Sequence, residues 1–167
     1  MPTFADRSLM LLGLAALAAL AVALALQYLG GLEPCPLCIK QRYPYLALMA
    51  ASALGLGLGR PKTFLMLAAL ILIFEIGLAG YHVGIEQGWF ALPTSCAALA
   101  PATTIDQLRE QLQAAPARCD QVQFTLLGLS LSAWNGIYAL ALLAMALLGL
   151  SRPTLSAAEQ DRQPRAA

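Results

Sequence analysis

Charged side chains are scarce in this chain. They make up 11% of its 167 residues, against about 25% in a soluble domain, which excludes an ordinary water-exposed surface. The charge is missing in blocks. None falls in residues 8–32, 43–59 or 121–151, and only Glu75 and His82 interrupt residues 63–85. A net charge of +1 gives no basic surface to hold a nucleic acid. Hydrophobic residues, at 59%, fill the space that charge leaves.

A membrane-spanning helix needs about 20 apolar residues, with a range of about 17–25. The four runs meet that requirement, the second at its short limit. Their heavy use of Leu and Ala, with Gly for close helix contact, predicts helices rather than a barrel. The expected fold is an all-α membrane protein: a four-transmembrane-helix bundle with a short amphipathic helix in the second outer loop. One domain over residues 1–151 holds spans at about 8–28, 43–59, 63–85 and 131–150. Residues 152–167, polar and with Pro153 and Pro164, read as a disordered tail. Arg7 before the first run and small residues near Ala23 and Ala25 resemble a signal peptide. The apolar core exceeds the usual h-region of about 7–15 residues, and three more runs follow, so the run is expected to be retained.

Four spans leave both termini on one side. That side holds Arg7, Arg60, Lys62, Arg152, Arg162 and Arg165, and the other holds Lys40, Arg42, Arg109 and Arg118. The excess of basic residues makes the first set cytoplasmic. All four cysteines then lie on the outer face, where disulfides persist.

Those cysteines carry the chemistry. Cys35-Pro36-Leu37-Cys38 is a Cys-x-x-Cys unit between the first two runs, and its small ring makes an easily exchanged disulfide. Pro36 fits a first helical position, which makes Cys35 the N-cap and favours a thiolate at the helix start. Pro44 forbids one continuous helix, so a short turn ending near Arg42 and a second span restarting at Pro44 are expected, with Arg42 one turn beyond Cys38. The alternatives are a structural disulfide or half of a zinc site. Zinc would need two more ligands, and the outer loops offer only Cys96, Cys119 and His82, at spacings that match no common finger. No metal is expected.

Cys96 and Cys119 bracket the only sizeable polar loop. Between them Thr104 and Gln107 form a capping pattern, and Ile105, Leu108 and Leu112 share one face opposite Asp106, Arg109 and Glu110. Such a helix would lie on the membrane surface. A Cys96–Cys119 bridge could staple this loop or pass electrons, and the loop alone leaves both open. Cys96, just beyond the third run and after Pro93, is the cysteine expected to be exposed to an incoming protein.

Glu75, His82 and Glu86 fall on one face of the third span. Ionisable residues inside a membrane are costly and usually functional. Glu75 is either a proton-handling group or a protonated side chain bonded to a neighbouring helix. His82 is either a contact to a bound ligand or an interfacial residue. Trp89, Phe90, Trp134 and Tyr138 read as interfacial anchors or bundle packing.

The stretch Glu33-Pro34-Cys35-Pro36-Leu37-Cys38-Ile39-Lys40-Gln41-Arg42, with Leu127-Gly128-Leu129-Ser130 and Trp134-Asn135 after the fourth cysteine, resembles the DsbB family over nearly the full length. The resemblance implies a quinone-dependent oxidoreductase of the bacterial inner membrane that re-oxidises a DsbA-like periplasmic thiol oxidase, using ubiquinone or menaquinone. It implies catalytic roles for Cys35, Cys38, Cys96 and Cys119 and quinone contacts for Arg42 and His82. Reduced partner attacks Cys96, Cys119 is released and can pair with Cys35, and Cys38 as thiolate, favoured by Arg42, passes electrons to quinone. The family's quinone-side histidine aligns with Gln87 here. The alternatives are a relative serving a dedicated partner, or a tetraspan scaffold whose outer disulfides only stabilise a binding loop.

Overall fold

A computed structural model of the chain describes residues 2–96, 104–106, 109 and 117–151. Each apolar run becomes a helix. Helix α1 (Phe4–Tyr28) begins ahead of its run because Thr3 and Asp6 form a reciprocal capping box, satisfying two otherwise orphaned N–H groups. The short α2 (Pro36–Lys40) precedes α3 (Arg42–Gly57). Helix α4 (Pro61–Glu86) opens on a proline whose missing N–H costs nothing at that position. Residues Thr94–Cys96 form one 3-10 turn. A two-residue hairpin, β1 (Thr125–Leu126) with β2 (Leu129–Ser130), then leads directly into α5 (Leu131–Ser151). Its loop is Leu127-Gly128, both at positive φ (53° and 79°), the backbone that matches strand twist in a tight hairpin. The hairpin was not legible in the sequence.

Helix α4 packs most extensively on α5, α1 on α3, and α3 on α4. The core takes Leu9, Leu12 and Ala16 from α1, Tyr45 and Leu48 from α3, Leu65, Ala68 and Leu72 from α4, and Ala139, Leu142 and Ala146 from α5. Small residues set the spacing. A Cβ at Gly55 would lie 2.6 Å from both Leu9 Cδ2 and Phe64 Cβ, and one at Gly149 would lie 2.9 Å from Ser8 Cβ. Such approaches let dispersion contacts hold helices that the hydrophobic effect does not drive together in lipid. Leu14, Leu17, Met66, Leu70, Phe74 and Leu148 point outward and are more than half exposed, apart from Leu17 at 50%.

Among the described residues, three helices are long and apolar enough to cross a membrane: α1, α4 and α5. With 16 residues, α3 reaches about 24 Å, short of a hydrocarbon core of about 30 Å. Most of the expected surface helix after Thr104, and all of the expected tail at 152–167, lie outside the described residues.

Candidate functional site

Helix α1 ends at Leu29, and an extended segment carries the chain to Cys35, the N-cap of α2. The local geometry follows from two residues. Pro36 occupies the first turn, and Cys35, with φ −69° and ψ 163°, turns its sulfur back on that turn. Cys35 Sγ accepts the Cys38 backbone N–H at 3.2 Å and lies 2.9 Å from Cys38 Sγ. The pair is a dithiol. Its two sulfurs do not titrate alike. The Cys38 thiol donating to it pulls the Cys35 pKa down to about 4 against the opposing effect of burial, and His82 helps. Cys38 moves up, because it is the donor to that sulfur and is itself buried.

Gln41 caps α2, and α3 starts at Arg42, two residues before the expected restart. Pro44 thereby falls in the first turn of α3, where no intrahelical bond needs its N–H. The Arg42 guanidinium donates through Nη1 to Gln27 Oε1 of α1 at 2.8 Å. Lys40 is exposed and lies away from the site.

The last turns of α4 close the other side. His82 is 3% exposed, with Nε2 3.6 Å from Cys35 Sγ and 3.8 Å from Glu86 Oε1. Glu86 accepts hydrogen bonds from Ser130 and Ser132 at 2.6 and 2.5 Å. Ser130 also caps α5 by accepting the Ala133 N–H at 3.2 Å. The carboxylate thus fastens the end of α4 to the start of α5. Gln87, at the C-cap of α4, is exposed.

Cys96 and Cys119 form a disulfide with Cα atoms 5.6 Å apart. The expected exposure of Cys96 is corrected here: it is 3% exposed and Cys119 is 1% exposed. Both sulfurs pack with Cys35, Leu37 and Ile85 in a single apolar cluster. Cys96 and Cys119 thus lie against α2 and the end of α4, so the two cysteine pairs are neighbours.

Below the dithiol lies a cavity of about 600 Å³. Its polar end is formed by Cys35, Cys38, Gln41, Arg42, His82 and Glu86, and α1 supplies an apolar wall from Ala19, Val22, Ala23 and Leu26. Tyr45, Asn135 and Tyr138 also line it, as do Arg118 and Gln121 on either side of Cys119. The Tyr45 hydroxyl donates to Asn135 Oδ1 at 2.6 Å, and Asn135 Nδ2 donates to Glu75 Oε1 at 2.5 Å. Glu75 is therefore bonded to a neighbouring helix, one of its two expected readings. The structure brings Cys35, Cys38, Arg42 and His82 around one cavity and packs Cys96 and Cys119 against Cys35. Gln27, Gln41, Tyr45, Glu86, Ser132 and Asn135 were missed as site residues. For Gln27 and Asn135 the signal was present: an amide inside a long uncharged run.

A profile of the family described as "Disulfide bond formation protein DsbB" matches residues 5–149. Three proteins named "Disulfide bond formation protein B" are similar to this chain. That of Aromatoleum aromaticum is 34% identical over 160 residues, covering 89% of this chain and 95% of its own. That of an Azoarcus species is 36% identical over 143 residues, covering 78% and 84%. That of Acinetobacter baumannii is 32% identical over 152 residues, covering 85% and 88%.

Proposed function

The chain belongs to the DsbB family, a membrane disulfide oxidoreductase family, and on that footing we propose that it re-oxidises a DsbA-like periplasmic thiol oxidase and delivers the electrons to a membrane quinone. The observation that carries this reading is the Cys35–Cys38 dithiol, which packs against the Cys96–Cys119 disulfide on one side and faces the 600 Å³ cavity on the other. The topology that goes with it has α1, α3, α4 and α5 crossing the inner membrane, both termini cytoplasmic and the cysteine loops periplasmic.

The residues present fit a quinone. Gln41 is 7% exposed, lines the cavity, and its Nε2 has no hydrogen-bond partner among the described residues. A buried amide donor of this kind is costly unless a ligand accepts from it. Arg42 offers further donors beside it, and the α1 wall matches an apolar tail. Ubiquinone or menaquinone would supply a two-electron, two-proton acceptor there.

The protein's own steps follow thiol–disulfide exchange. A partner thiolate attacks Cys96, forming a mixed disulfide and releasing Cys119. Cys119 attacks Cys35 of an oxidised Cys35–Cys38 pair, and Cys38 leaves as thiolate. The partner's second thiol displaces Cys96, which then attacks Cys119 and frees Cys35. The result is a Cys96–Cys119 disulfide beside a Cys35–Cys38 dithiol, the combination seen in this structure. Closing the Cys35–Cys38 disulfide again gives up two electrons and two protons. In the dithiol the charge favours Cys35. Once Cys35 is tied to Cys119, Cys38 no longer faces a neighbouring thiolate, and Arg42 on the same cavity favours its ionised form.

The test is reconstitution with a reduced DsbA-like oxidase and a soluble quinone, following quinol absorbance. Quinol should form in step with oxidation of the partner. A folded protein that leaves both unchanged, with both cysteine pairs permanently oxidised, would be a scaffold instead.

A further inference from the structure

We propose that the reduced Cys35–Cys38 pair and His82 form a binding site for a thiophilic divalent cation of the zinc class. The three ligand atoms come from two elements, the first turn of α2 and the last turns of α4, and all lie within 4.8 Å of one another. Sequence spacing could not reveal the set, because Cys35 and His82 are 47 residues apart.

The geometry can be checked against a tetrahedral zinc ion, with Zn–S of about 2.3 Å and Zn–N of about 2.0–2.1 Å. Those bond lengths put a sulfur and a nitrogen ligand about 3.5 Å apart, and Cys35 Sγ and His82 Nε2 are 3.6 Å apart. Two sulfur ligands belong about 3.8 Å apart, so the 2.9 Å pair must open by about 0.9 Å. In the reduced pair the two sulfurs share a thiol hydrogen bond. Binding removes that proton, and two thiolates then separate around the cation. Glu86 Oε1, 3.8 Å from His82 Nε2, lies beside this cluster and not within it, so the fourth position falls to a solvent ligand, as in an open zinc site. The site combines soft sulfur with imidazole, a donor set that suits zinc better than magnesium or calcium.

Loading would release the thiol protons without any change in oxidation state. The loaded pair could not close its disulfide, so a cation would arrest the cycle with the pair reduced. Only this arrest rests on the proposed function. The binding itself does not.

The experiment uses the full-length protein, reduced, in detergent micelles, with Co²⁺ as probe and no quinone or partner present. The variant Cys96→Ser/Cys119→Ser removes the competing thiols. One equivalent of Co²⁺ should produce thiolate-to-cobalt charge-transfer absorption and tetrahedral visible bands. Cys35→Ser should abolish the charge-transfer band, and oxidised wild type should never show it. His82→Ala should weaken binding by more than the roughly 10–100-fold that loss of an outer-shell partner costs. Wild type with its loop disulfide intact, compared with Cys35→Ser, serves if the double variant fails to fold. His82→Gln serves if the alanine variant fails. A band that survives Cys35→Ser, or equal affinity with and without His82, overturns the site. Failure of quinol formation would leave these readouts untouched.

Discussion

Asn135→Leu is expected to destabilise the bundle by about 2–3 kcal/mol. Asn135 joins three helices: its Nδ2 donates to Glu75 of α4, and its Oδ1 accepts from Tyr45 of α3. Leucine has the same branched outline, with bulkier methyl ends, and can do neither. Glu75 is 0% exposed, and its Oε2 already has no hydrogen-bond partner among the described residues. Losing Asn135 leaves the whole carboxyl unsatisfied. An orphaned buried polar group costs about 1–3 kcal/mol, while hydrogen bonds between membrane helices average about 0.6 and reach about 1.7 kcal/mol. Tyr45 contributes the smaller part, since it lines the cavity and its hydroxyl can turn to another acceptor. The decisive comparison is the double variant. Adding Glu75→Leu removes the orphan, so Glu75→Leu/Asn135→Leu should recover about 1–2 kcal/mol over Asn135→Leu alone. Unfolding of the purified protein in micelles, followed by loss of helical circular dichroism, measures both. Wild-type stability in Asn135→Leu, or a double variant as weak as the sum of the singles, would refute the reasoning.

Arg42→Gln should slow quinone reduction by roughly 10–150-fold, the equivalent of one charged hydrogen bond of about 1.5–3 kcal/mol, while disulfide exchange at Cys96 is little changed. Lys40→Gln, at an exposed position outside the cavity, should do much less in the same quinol assay, and equal losses would reduce Arg42 to an interfacial anchor. Cys119→Ala should trap a mixed disulfide with the partner through Cys96, seen on non-reducing gels; trapping only through Cys119 in Cys96→Ala would reverse the assignment. In reduced protein with both loop cysteines changed to alanine, Cys35 should hold its thiolate ultraviolet absorbance down to a pH of about 4, and Cys38→Ala should move that titration up toward the ordinary thiol value of about 8.5. The sign follows from a lowered folded-state pKa: the thiolate's contribution to stability is fully present above about 8.5 and is lost as pH falls through about 4. A titration unmoved by Cys38→Ala would mean that the Cys38 thiol is not the donor that matters.

Local chemistry was legible in the sequence, and tertiary contact was not. Cys35 as N-cap, Pro36 in the first turn and the break before α3 all follow from steric rules that act within a few residues, and the structure bears them out. The four apolar runs likewise became helices, although α3 falls short of span length. What escaped was every contact that depends on how a helix is rotated in the bundle. A helix apolar on all sides has no stripe to mark its inner face, and α4 carries Leu, Ile, Phe and Ala around its whole circumference. Neither the approach of His82 to Cys35 nor the Asn135–Glu75 bridge, 60 residues apart, leaves any periodic trace. The burial of Cys96 was missed for another reason: its cover comes from Leu37, Ile85 and Cys119, which belong to three separate segments.

The shortness of α3 has a consequence for the lipid around it. As the proposed fourth crossing, a helix of about 24 Å would leave a mismatch of about 6 Å on its flank of a hydrocarbon layer of about 30 Å, while α1 and α4, at 25 and 26 residues, have length to spare. Mismatch costs fractions of a kcal/mol per Å, so acyl chains beside α3 are expected to compress and its flanking Arg42 and Arg60 to draw headgroups inward. The bilayer would be dimpled beside α3, which carries Arg42 and Tyr45 of the cavity lining. A hydrophobic molecule diffusing at mid-depth would then meet the redox pair closer to its own level than in an undistorted membrane, and turnover would vary with the chain length of the surrounding lipid.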